Sequence, residues 1–517
     1  MTTELEKIFP AEIEREVKLS GLEAALSSEM EKVKHLESQV SWLTEQLNTL
    51  KRGQFGTKSE RWESQEQMLL MNEAELESKN PDHEVDEDDT VEVKGYTKKR
   101  GHRKALPANL LREVEKIELP KPDQFAEDGT PLKVIGWEIS EKLKYEPSKM
   151  SVIQYHRAKY GADSGDYVKT APPVPSVIPK GIATPELLSA IIVGKYADGM
   201  PLYRMESMFL RHDVELSRGT MARWVIKTSE ALKPIWNVLS DRLLETAYVA
   251  CDETSVQVLK ENGRPAEAKS WMWVRSTPGS EKKIVIFDYS TSRAGEKAKE
   301  LFADYRGILQ TDGLGTYNCL ESEVLIRIGC NMHSRRRFES AAKDGAKSGK
   351  SFGATGVEFY RKIYDLEKEL KDKSIEERKR ARDEIARPIF IEMKSWVEKN
   401  KPKVPDKSKI GEAFKYFLSE YEYLIGYLRD GNLNPDNGFT ERAIRKFAIG
   451  RNNWMFADTP DGADASALLY SLVVTAKVNG VNIYRALTKI LTEIPLAKTC
   501  DDYERLADLI LTPTPAP

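Results

Sequence analysis

The stretch Tyr248-Val-Ala-Cys-Asp-Glu-Thr-Ser-Val-Gln-Val258 decides the fold. It is rich in β-branched and aromatic residues and is short, a composition that predicts a β-strand. Asp252 nevertheless lies inside it, and a carboxylate in a buried strand is costly unless it has a partner or a function. Asp252 is therefore the first candidate for a functional residue.

Two further acids have comparable settings. Asp312 ends the apolar run Gly307-Ile-Leu-Gln-Thr-Asp312 and is followed by Gly313, whereas Glu441 lies in Phe439-Thr-Glu-Arg-Ala-Ile-Arg445, which predicts the start of a helix. Two carboxylates at strand ends and one on a later helix are how a ribonuclease-H-like fold holds a pair of Mg²⁺ ions for phosphodiester chemistry. Each acid alone has an ordinary interpretation as a surface residue. Together they predict one Mg²⁺ or Mn²⁺ site with Asp252, Asp312 and Glu441 as ligands.

The elements around these acids predict a mixed α/β sheet. Strands are expected near 248–258, 271–275, 283–288, 307–311 and 324–328, with a helix over 293–302 between the third and the fourth. Residues 246–345 and 431–490 are assigned to one catalytic domain. Residues 346–430, rich in Glu, Lys, Arg and Leu at helical spacing, form a helical insertion, and residues 491–517 form a C-terminal tail.

Residues 1–52 predict a coiled coil, because apolar residues alternate steps of four and three. The seam consists of Leu22, Leu26, Glu29, Val33, Leu36, Val40, Leu43, Leu47 and Leu50. Glu29 is its single charged position. A helix packed on its own chain is the alternative; self-association into a homo-oligomer is the favoured interpretation.

Residues 53–105 predict a linker that begins with a basic, turn-rich stretch and is acidic and then basic from about residue 72. Its basic run includes Lys98, Lys99 and Arg100, which are candidate phosphate contacts, with a merely solvated linker as the alternative. Residues 106–180 mix short strand-like runs with turns and predict a small module.

Residues 181–245 predict a helical DNA-binding region. Pro185 after Thr184 marks a helix start, and Ser217 is a good N-cap for a later helix. Arg218, Thr220 and Arg223 are expected to be exposed at the start of that helix, as in a helix-turn-helix. An ordinary helical subdomain is the alternative.

The bulk composition of the 517 residues excludes several classes. Charged residues make up 31% and the formal net charge is −3, so only local patches can indicate a nucleic-acid partner. The four cysteines form no C-x-x-C pair, which supports neither a disulfide framework nor a cysteine zinc site. No apolar run approaches the length of a membrane span, and the predicted location is cytoplasmic.

Cations and an aromatic residue follow the predicted catalytic elements. As contacts to DNA phosphates or bases the sequence offers His333, Arg335, Arg336, Arg337, Arg442, Arg445, Arg451 and Trp454. The alternative for these residues is salt bridging and core packing.

At these residues the sequence resembles the transposases of the insertion sequence 66 family, within the DDE superfamily. The likeness covers nearly the whole chain. It is carried by Asp252-Glu-Thr254, Gln310-Thr-Asp-Gly313 through Tyr317, His333 with Arg335-Arg-Arg-Phe338, Asn437 through Arg445, Gly450-Arg-Asn-Asn-Trp454 and Tyr470 through Gly480, with Phe55 through Glu60, Lys195-Tyr196 and Pro201-Leu-Tyr-Arg204 upstream.

The resemblance implies a ribonuclease-H-like catalytic domain that cleaves DNA at element ends and joins them to target DNA, with Asp252, Asp312 and Glu441 as the metal-binding triad. It also implies binding of terminal inverted repeats through the N-terminal half, and companion proteins encoded by the same element. Such transposases usually carry a small zinc module with paired cysteines. Here the corresponding stretches Leu119–Phe125 and Lys159–Gly165 have no cysteine, so no zinc is expected.

Two alternatives remain open for the function. One is a catalytically inactive, transposase-derived protein for DNA binding or assembly, and the other is a ribonuclease-H-fold nuclease that cuts without strand transfer.

Overall fold

The computed structural model describes residues 150–161, 168–322, 324–345 and 351–513, together with Glu29, Met30, Lys32, Val33 and Val40. The predicted linker, Lys98, Lys99 and Arg100, and most of the predicted coiled coil and small module lie outside these residues. The seam positions Glu29, Val33 and Val40 are helical and exposed. The coiled coil therefore stays a prediction.

A five-stranded mixed sheet lies at the centre of the unit that contains the described residues from Arg157 onward. The chain first forms the hairpin β1 (Lys159–Gly161) and β2 (Val168–Thr170). The sheet consists of β3 (Tyr248–Gln257), β4 (Lys269–Ser276), β5 (Val285–Ser290), β6 (Gly307–Thr311) and β7 (Leu325–Gly329). The strand order is β5-β4-β3-β6-β7. The mixed sheet predicted from the sequence is confirmed.

The directions of the strands follow from their connections. Strands β3, β4 and β5 are antiparallel and are joined by loops without an intervening helix, whereas β6 and β7 run parallel to β3. Helix α4 (Gly295–Leu301) lies between β5 and β6, and α5 (Asn331–Gly345) follows β7. The first four residues of β3 are all buried, as expected for a central strand that is covered on both faces.

Three helices precede the sheet: α1 (Pro185–Tyr196), α2 (Leu202–Leu210) and α3 (Arg218–Leu244). The two predicted helix starts are found, since Thr184 accepts a hydrogen bond from Leu187 N at 3.4 Å and Ser217 accepts one from Thr220 N at 3.3 Å. Arg218 and Arg223 are exposed, whereas Thr220 is half-buried and its hydroxyl is bonded within the cap. The helix-turn-helix role of these residues stays a prediction.

The predicted helical insertion contains its own core. It comprises α6 (Phe352–Glu369), α7 (Ile375–Ala381), a π-turn (Arg382–Ala386), α8 (Arg387–Asn400), α9 (Lys409–Leu424) and a 3₁₀ turn (Ile425–Arg429). Its aromatic residues pack around Phe338 of α5 and reach Ile328 of β7. The insertion is thereby fixed to the edge of the sheet that carries β6 and β7.

The chain ends in a second group of helices: α10 (Gly438–Trp454), α11 (Pro460–Val478), α12 (Ile483–Glu493) and α13 (Cys500–Leu511). Helix α13 lies in the interval predicted as a C-terminal tail, and it buries Leu506, Ala507, Ile510 and Leu511. Among the described residues, no helix combines the length and the apolar character that a membrane crossing requires.

Helix α11 covers the free edge of strand β5 with a ladder of polar side chains. Thr475 Oγ1 accepts from Val285 N and donates to Val285 O, both at 3.0 Å. One turn to either side, Ser471 accepts from Phe287 N at 2.8 Å and Asn479 pairs with both backbone groups of Lys283. The spacing of four residues on the helix matches alternate residues on the strand. The side chains therefore replace a sixth strand and protect the edge.

Replacing Thr475 with valine, which has the same shape, is expected to lower the free energy of unfolding by about 2–3 kcal/mol, because two buried backbone groups of Val285 lose their partner. Chemical denaturation measures the change. Thr492→Val, which removes an exposed hydroxyl bonded to Thr488 O, is the matched control and should stay within about 0.5 kcal/mol of the wild type. Equal losses in the two variants would contradict the edge ladder.

Candidate active site

The parallel register of β3 and β6 places two of the predicted acids side by side. Tyr248 pairs with Ile308, Val249 with Leu309 and Ala250 with Gln310. Continued by two residues, the same register sets Asp252 opposite Asp312, which directly follows the last residue of β6. Neighbouring strands lie about 4.8 Å apart, and residues in register point to the same face. The sheet thus brings both carboxylates to one place.

The third acid comes from the first turn of α10, which is anchored to the sheet at two points. The buried Asn437 side chain donates from Nδ2 to Cys251 O of β3 at 3.0 Å, and its backbone N–H donates to Cys330 Sγ at 3.2 Å. The hydroxyls of Thr440 and Ser276 of β4 lie 2.8 Å apart. Glu441 follows Thr440 directly, so these contacts hold it near Asp252.

Burial and the neighbouring acids act together on Asp252. Burial raises the pKa of Asp252 well above its usual value, and the charges of Glu253, Asp312 and Glu441 raise it further, while a hydrogen bond from Glu253 N, at 2.8 Å, opposes the rise. Among the described residues, the Asp252 carboxylate has no cation within ion-pair distance. A buried Asp252 carboxylate with no ion-pair partner of its own, next to Asp312 and Glu441, is the kind of group that a bound metal ion would stabilise.

Glu253, the neighbour of Asp252, has a structural role that the sequence did not indicate. Its buried side chain forms an ion pair with Arg293, with Nη2 and Oε1 2.6 Å apart, and accepts a hydrogen bond from the Tyr317 hydroxyl. Successive residues of a strand point to opposite faces, so Glu253 and Asp252 serve different sites. Tyr317 is the last residue of the motif that begins at Gln310. Its hydroxyl donates a hydrogen bond to buried Glu253, which explains why a tyrosine lies at this position.

Glu441 is paired with a cation that the sequence offered as a DNA contact. Both Arg336 terminal nitrogens donate to the Glu441 carboxylate, one of them at 2.9 Å. His333 Nδ1 lies 3.8 Å from Glu441 Oε1 without a hydrogen-bond partner, and burial lowers the His333 pKa. A neutral imidazole and a guanidinium therefore border the acid.

The loop that carries Asp312 is held by the helical insertion. Gly313 N donates to the Tyr416 hydroxyl at 3.1 Å, and Leu314 N donates to Asp312 Oδ1 at 3.1 Å. A Cβ on Gly313 would lie 2.5 Å from the Tyr416 ring, so any larger residue at this position would clash with that ring. The Arg337 guanidinium stacks on the same ring at 4.2 Å. Tyr416, which sequence reasoning missed, thus couples the insertion to the site.

The other predicted contacts are distributed over several environments. Arg335 pairs with Glu339 at 2.9 Å, Arg442 and Arg445 are exposed, and Arg451 donates to Ser255 O. Trp454 packs edge-on against Tyr196, with Lys195 3.7 Å from its ring centroid, so this ring face is already occupied. Asp252, Asp312, Glu441, His333 and Arg336 lie close enough for their charges to act on one another, whereas Arg218, Thr220 and Arg223 lie on a different element, α3.

A second group of potential ligands overlaps the site. Ligand atoms of Cys330, His333 and Glu441 lie within 4.8 Å of one another. Burial raises the Cys330 pKa to about 12, so the thiol stays protonated, and its sulfur already accepts the Asn437 N–H. Metals bind the thiolate, and Mg²⁺ takes oxygen ligands. The carboxylate cluster fits Mg²⁺ or Mn²⁺ better than this group does.

Asn437→Ala is expected to reduce the metal response of the site, since the side chain positions the helix that carries Glu441. Partners of this kind are typically worth about 10–100-fold in metal affinity or activity. Titration with Mn²⁺, followed through the melting temperature, measures the loss. Asn432→Ala, at an exposed position before the same helix, is the control. An unchanged Mn²⁺ affinity in Asn437→Ala would contradict the positioning role.

The described residues thus form a helix-rich protein with a mixed five-stranded sheet and a candidate carboxylate site. Comparison with known families identifies the class of protein. The profile of the family described as "Transposase IS66 family" matches residues 180–465, more than half of the chain. The chain belongs to this family. A second profile, described as "Transposase C of IS166 homeodomain", matches residues 42–114.

Relatives of similar length extend the comparison. The chain is 32% identical over 507 residues to "Uncharacterized protein y4qI" of Sinorhizobium fredii (strain NBRC 101917 / NGR234), an alignment that covers 93% of this chain and 92% of the relative. It is 28% identical over 425 residues to "Uncharacterized protein y4hP" of the same strain, covering 78% and 76%. The likeness thus includes regions on both sides of the family match.

Proposed function

We propose that this chain is a DNA transposase that binds the terminal inverted repeats of an insertion sequence and catalyses metal-dependent strand cleavage and strand transfer. The main support for the proposal is the register of β3 and β6, which pairs Ala250 with Gln310 two residues before the two aspartates, together with the anchored turn that carries Glu441. Family membership supports the transposase class. The proposal includes a ribonuclease-H-like topology for the catalytic domain.

Asp252, Asp312 and Glu441 are the proposed ligands of two Mg²⁺ or Mn²⁺ ions. When bound, the metal supplies an activated water or 3′ hydroxyl nucleophile and offsets negative charge on the phosphodiester. Asp252 contributes a rigid carboxylate, because its backbone is paired on the central strand. The Asp312 loop is fixed by Tyr416, so the second carboxylate is also preorganised.

Arg336 has a proposed role that follows from its contact with Glu441. A metal ion on Glu441 would share the lone pairs of the carboxylate with the Arg336 guanidinium. Arg336 would then lie beside the metal site, where its remaining N–H groups could bind a DNA phosphate. Neutral His333 lines the same side without adding charge.

DNA recognition is proposed to involve other parts of the chain. The homeodomain match over residues 42–114 supports a DNA-binding role for that region, and Arg218, Thr220 and Arg223 stay candidates in the helical region. Self-association through residues 1–52, companion proteins, a cytoplasmic location and the absence of zinc stay predictions.

The test uses purified full-length protein, Mn²⁺, and labelled duplexes that carry the ends of the element. Wild type is expected to nick at the element end and to yield products joined to target DNA, whereas Asp312→Asn and Glu441→Gln should yield neither. Asp304→Asn removes an exposed acid of the same domain and is the matched control. Nicks without joined products would favour a nuclease; DNA binding without nicks would favour an inactive, transposase-derived binding protein.

A further inference from the structure

The residues Trp454, Met455 and Phe456, here named the wedge turn, form a strained loop directly after α10. Met455 has φ 66° and ψ −48°, and Phe456 N donates to Trp454 O at 2.8 Å. This is a γ-turn with positive φ at its central residue, the rare form, and side chains other than glycine adopt it at a cost of about 1–3 kcal/mol.

Contacts on both sides hold the wedge turn in this conformation. Before it, Asn453 Nδ2 donates to Gly199 O at 2.7 Å. After it, Ala457 N donates to Gln257 O at 2.9 Å, and Leu259 N donates to Ala457 O at 3.0 Å. The turn is therefore fixed between the N-terminal helices and the end of β3, and the surrounding structure maintains its strain.

The strained backbone directs two apolar side chains outward. Met455 is 71% exposed and Phe456 is 43% exposed. Exposed apolar side chains are common singly, but two adjacent ones at the end of a helix, one of them on a strained backbone, indicate a binding surface.

The charges around the wedge turn indicate which partner would cover it. The exposed positions of α10 are Arg442, Arg445, Lys446, Ile449, Asn452 and Asn453, and none of them is acidic. Lys446 lies close enough to Lys477 for its pKa to be lowered mainly by that like charge. Such a basic face complements a polyanion.

Two more cations border the wedge turn. Lys195 is half-buried over the Trp454 ring, and Arg451 is half-buried with its guanidinium on Ser255 O. Within the described part of the chain, neither has an acidic side chain within ion-pair distance. Burial lowers the pKa of Lys195 to about 8, and a phosphate beside it would favour its charged form. The apolar pair suits the stacked faces of bases.

We propose that the wedge turn inserts Met455 and Phe456 between base pairs of bound DNA, with Lys195 and Arg451 contacting the flanking phosphates. This inference rests on the proposed function, because it requires DNA along the basic face of α10. At 1.5 Å per residue, Met455 lies about 21 Å along the helix from Glu441, the length of about six base pairs. Apolar side chains that enter a base step unstack it and bend the duplex.

The experiment uses the catalytically disabled Asp252→Asn protein and duplexes of the element end with 2-aminopurine at single positions on both sides of the cleavage point. Unstacking raises the fluorescence of 2-aminopurine. A several-fold rise is expected about six base pairs from the cleavage point, and Met455→Ala/Phe456→Ala should abolish it. The affinity for the duplex should change by less than about tenfold. The double variant loses the apolar packing within the base step, but it also avoids the cost of unstacking that step.

Three controls separate the outcomes. Tyr484→Ala/Leu496→Ala removes a comparably exposed apolar pair far along the chain and should leave the rise intact. Met455→Gly relieves the positive φ, so it should weaken the rise without lowering the melting temperature. Lys195→Gln should reduce the slope of log affinity against log salt by about 0.9.

The results also separate this inference from the proposed function. If DNA binds and no position brightens, or if the double variant keeps the rise, the wedge is overturned and the transposase proposal stands. If no element-end duplex binds at all, both are overturned. A rise at the expected position that depends on Met455 and Phe456 supports the wedge.

Discussion

Asp252→Asn is expected to raise the melting temperature of the metal-free protein while it lowers strand cleavage by at least about 10³-fold. The variant removes one of three interacting acids and keeps the oxygen that accepts the Glu253 N–H, so the fold loses repulsion and no hydrogen bond. Differential scanning fluorimetry and a nicking assay measure the two effects.

The stabilisation by Mn²⁺ should be smaller in Asp252→Asn than in the wild type, although the metal-free variant is the more stable protein. A ligand at 100 times its Kd stabilises a folded protein by about 2.7 kcal/mol. Saturating Mn²⁺ is therefore expected to raise the melting temperature of the wild type clearly and that of Asp252→Asn much less. Asp304→Asn should follow the wild type with and without Mn²⁺.

The pH dependence of the stability gain has a definite sign. The pKa of Asp252 is raised in the folded state, so the folded protein binds the proton more tightly than the unfolded chain. Metal-free wild type thus loses stability as pH rises from the usual aspartate range through the raised pKa. The advantage of Asp252→Asn should be largest at neutral pH and should shrink as pH falls towards about 4. An advantage that is the same at both ends of this range would contradict the interaction of the acids.

Arg382→Met is expected to destabilise the protein by about 3–5 kcal/mol, because it leaves a largely buried carboxylate without its partner. Arg382 is 2% exposed and donates to both Glu367 oxygens, at 2.8 and 2.7 Å. It also donates to Asp430 O at 2.9 Å, which connects α6 to the end of the insertion. Urea denaturation measures the loss.

Two further variants test whether the unpaired Glu367 carboxylate causes the loss of stability in Arg382→Met. Arg382→Met/Glu367→Leu should recover much of the stability, since both charges are gone and the apolar side chains can pack. Arg361→Met removes a cation that pairs with Glu358 at an exposed position and should leave the urea midpoint close to that of the wild type. Additive losses in the double variant would mean that the two side chains act independently.

Local patterns were sufficient to locate most elements of the fold. The run from Tyr248 to Val258 predicted β3 to within one residue, since β-branched residues mark strands regardless of their partners. Thr184 and Ser217 predicted the starts of their helices. An N-cap depends only on a side-chain oxygen and the backbone N–H groups of the first helical turn, which are close in sequence. Asp252 within β3 also indicated the candidate site, because a buried carboxylate is costly without a partner or a function.

Long-range contacts could not be predicted from these patterns. Asn437 and Tyr416 support the site from positions 186 and 103 residues away from the groups they contact. Arg336, offered by the sequence as a DNA contact, is paired with Glu441, and Trp454 is packed against Tyr196 and Lys195. No spacing rule connects such partners, because tertiary packing selects them.

The edge ladder of α11 has a consequence for synthesis of the chain. The backbone of Val285 has its partner in Thr475, which is synthesised 190 residues later. At about 5–20 residues per second, the ribosome needs roughly 10–40 s to produce the covering helix after β5 emerges. During that interval a nascent chain presents an open strand edge, the kind of surface that recruits other strands and chaperones. Glu441 also emerges late, so a prematurely terminated chain carries two of the three acids and cannot complete the site.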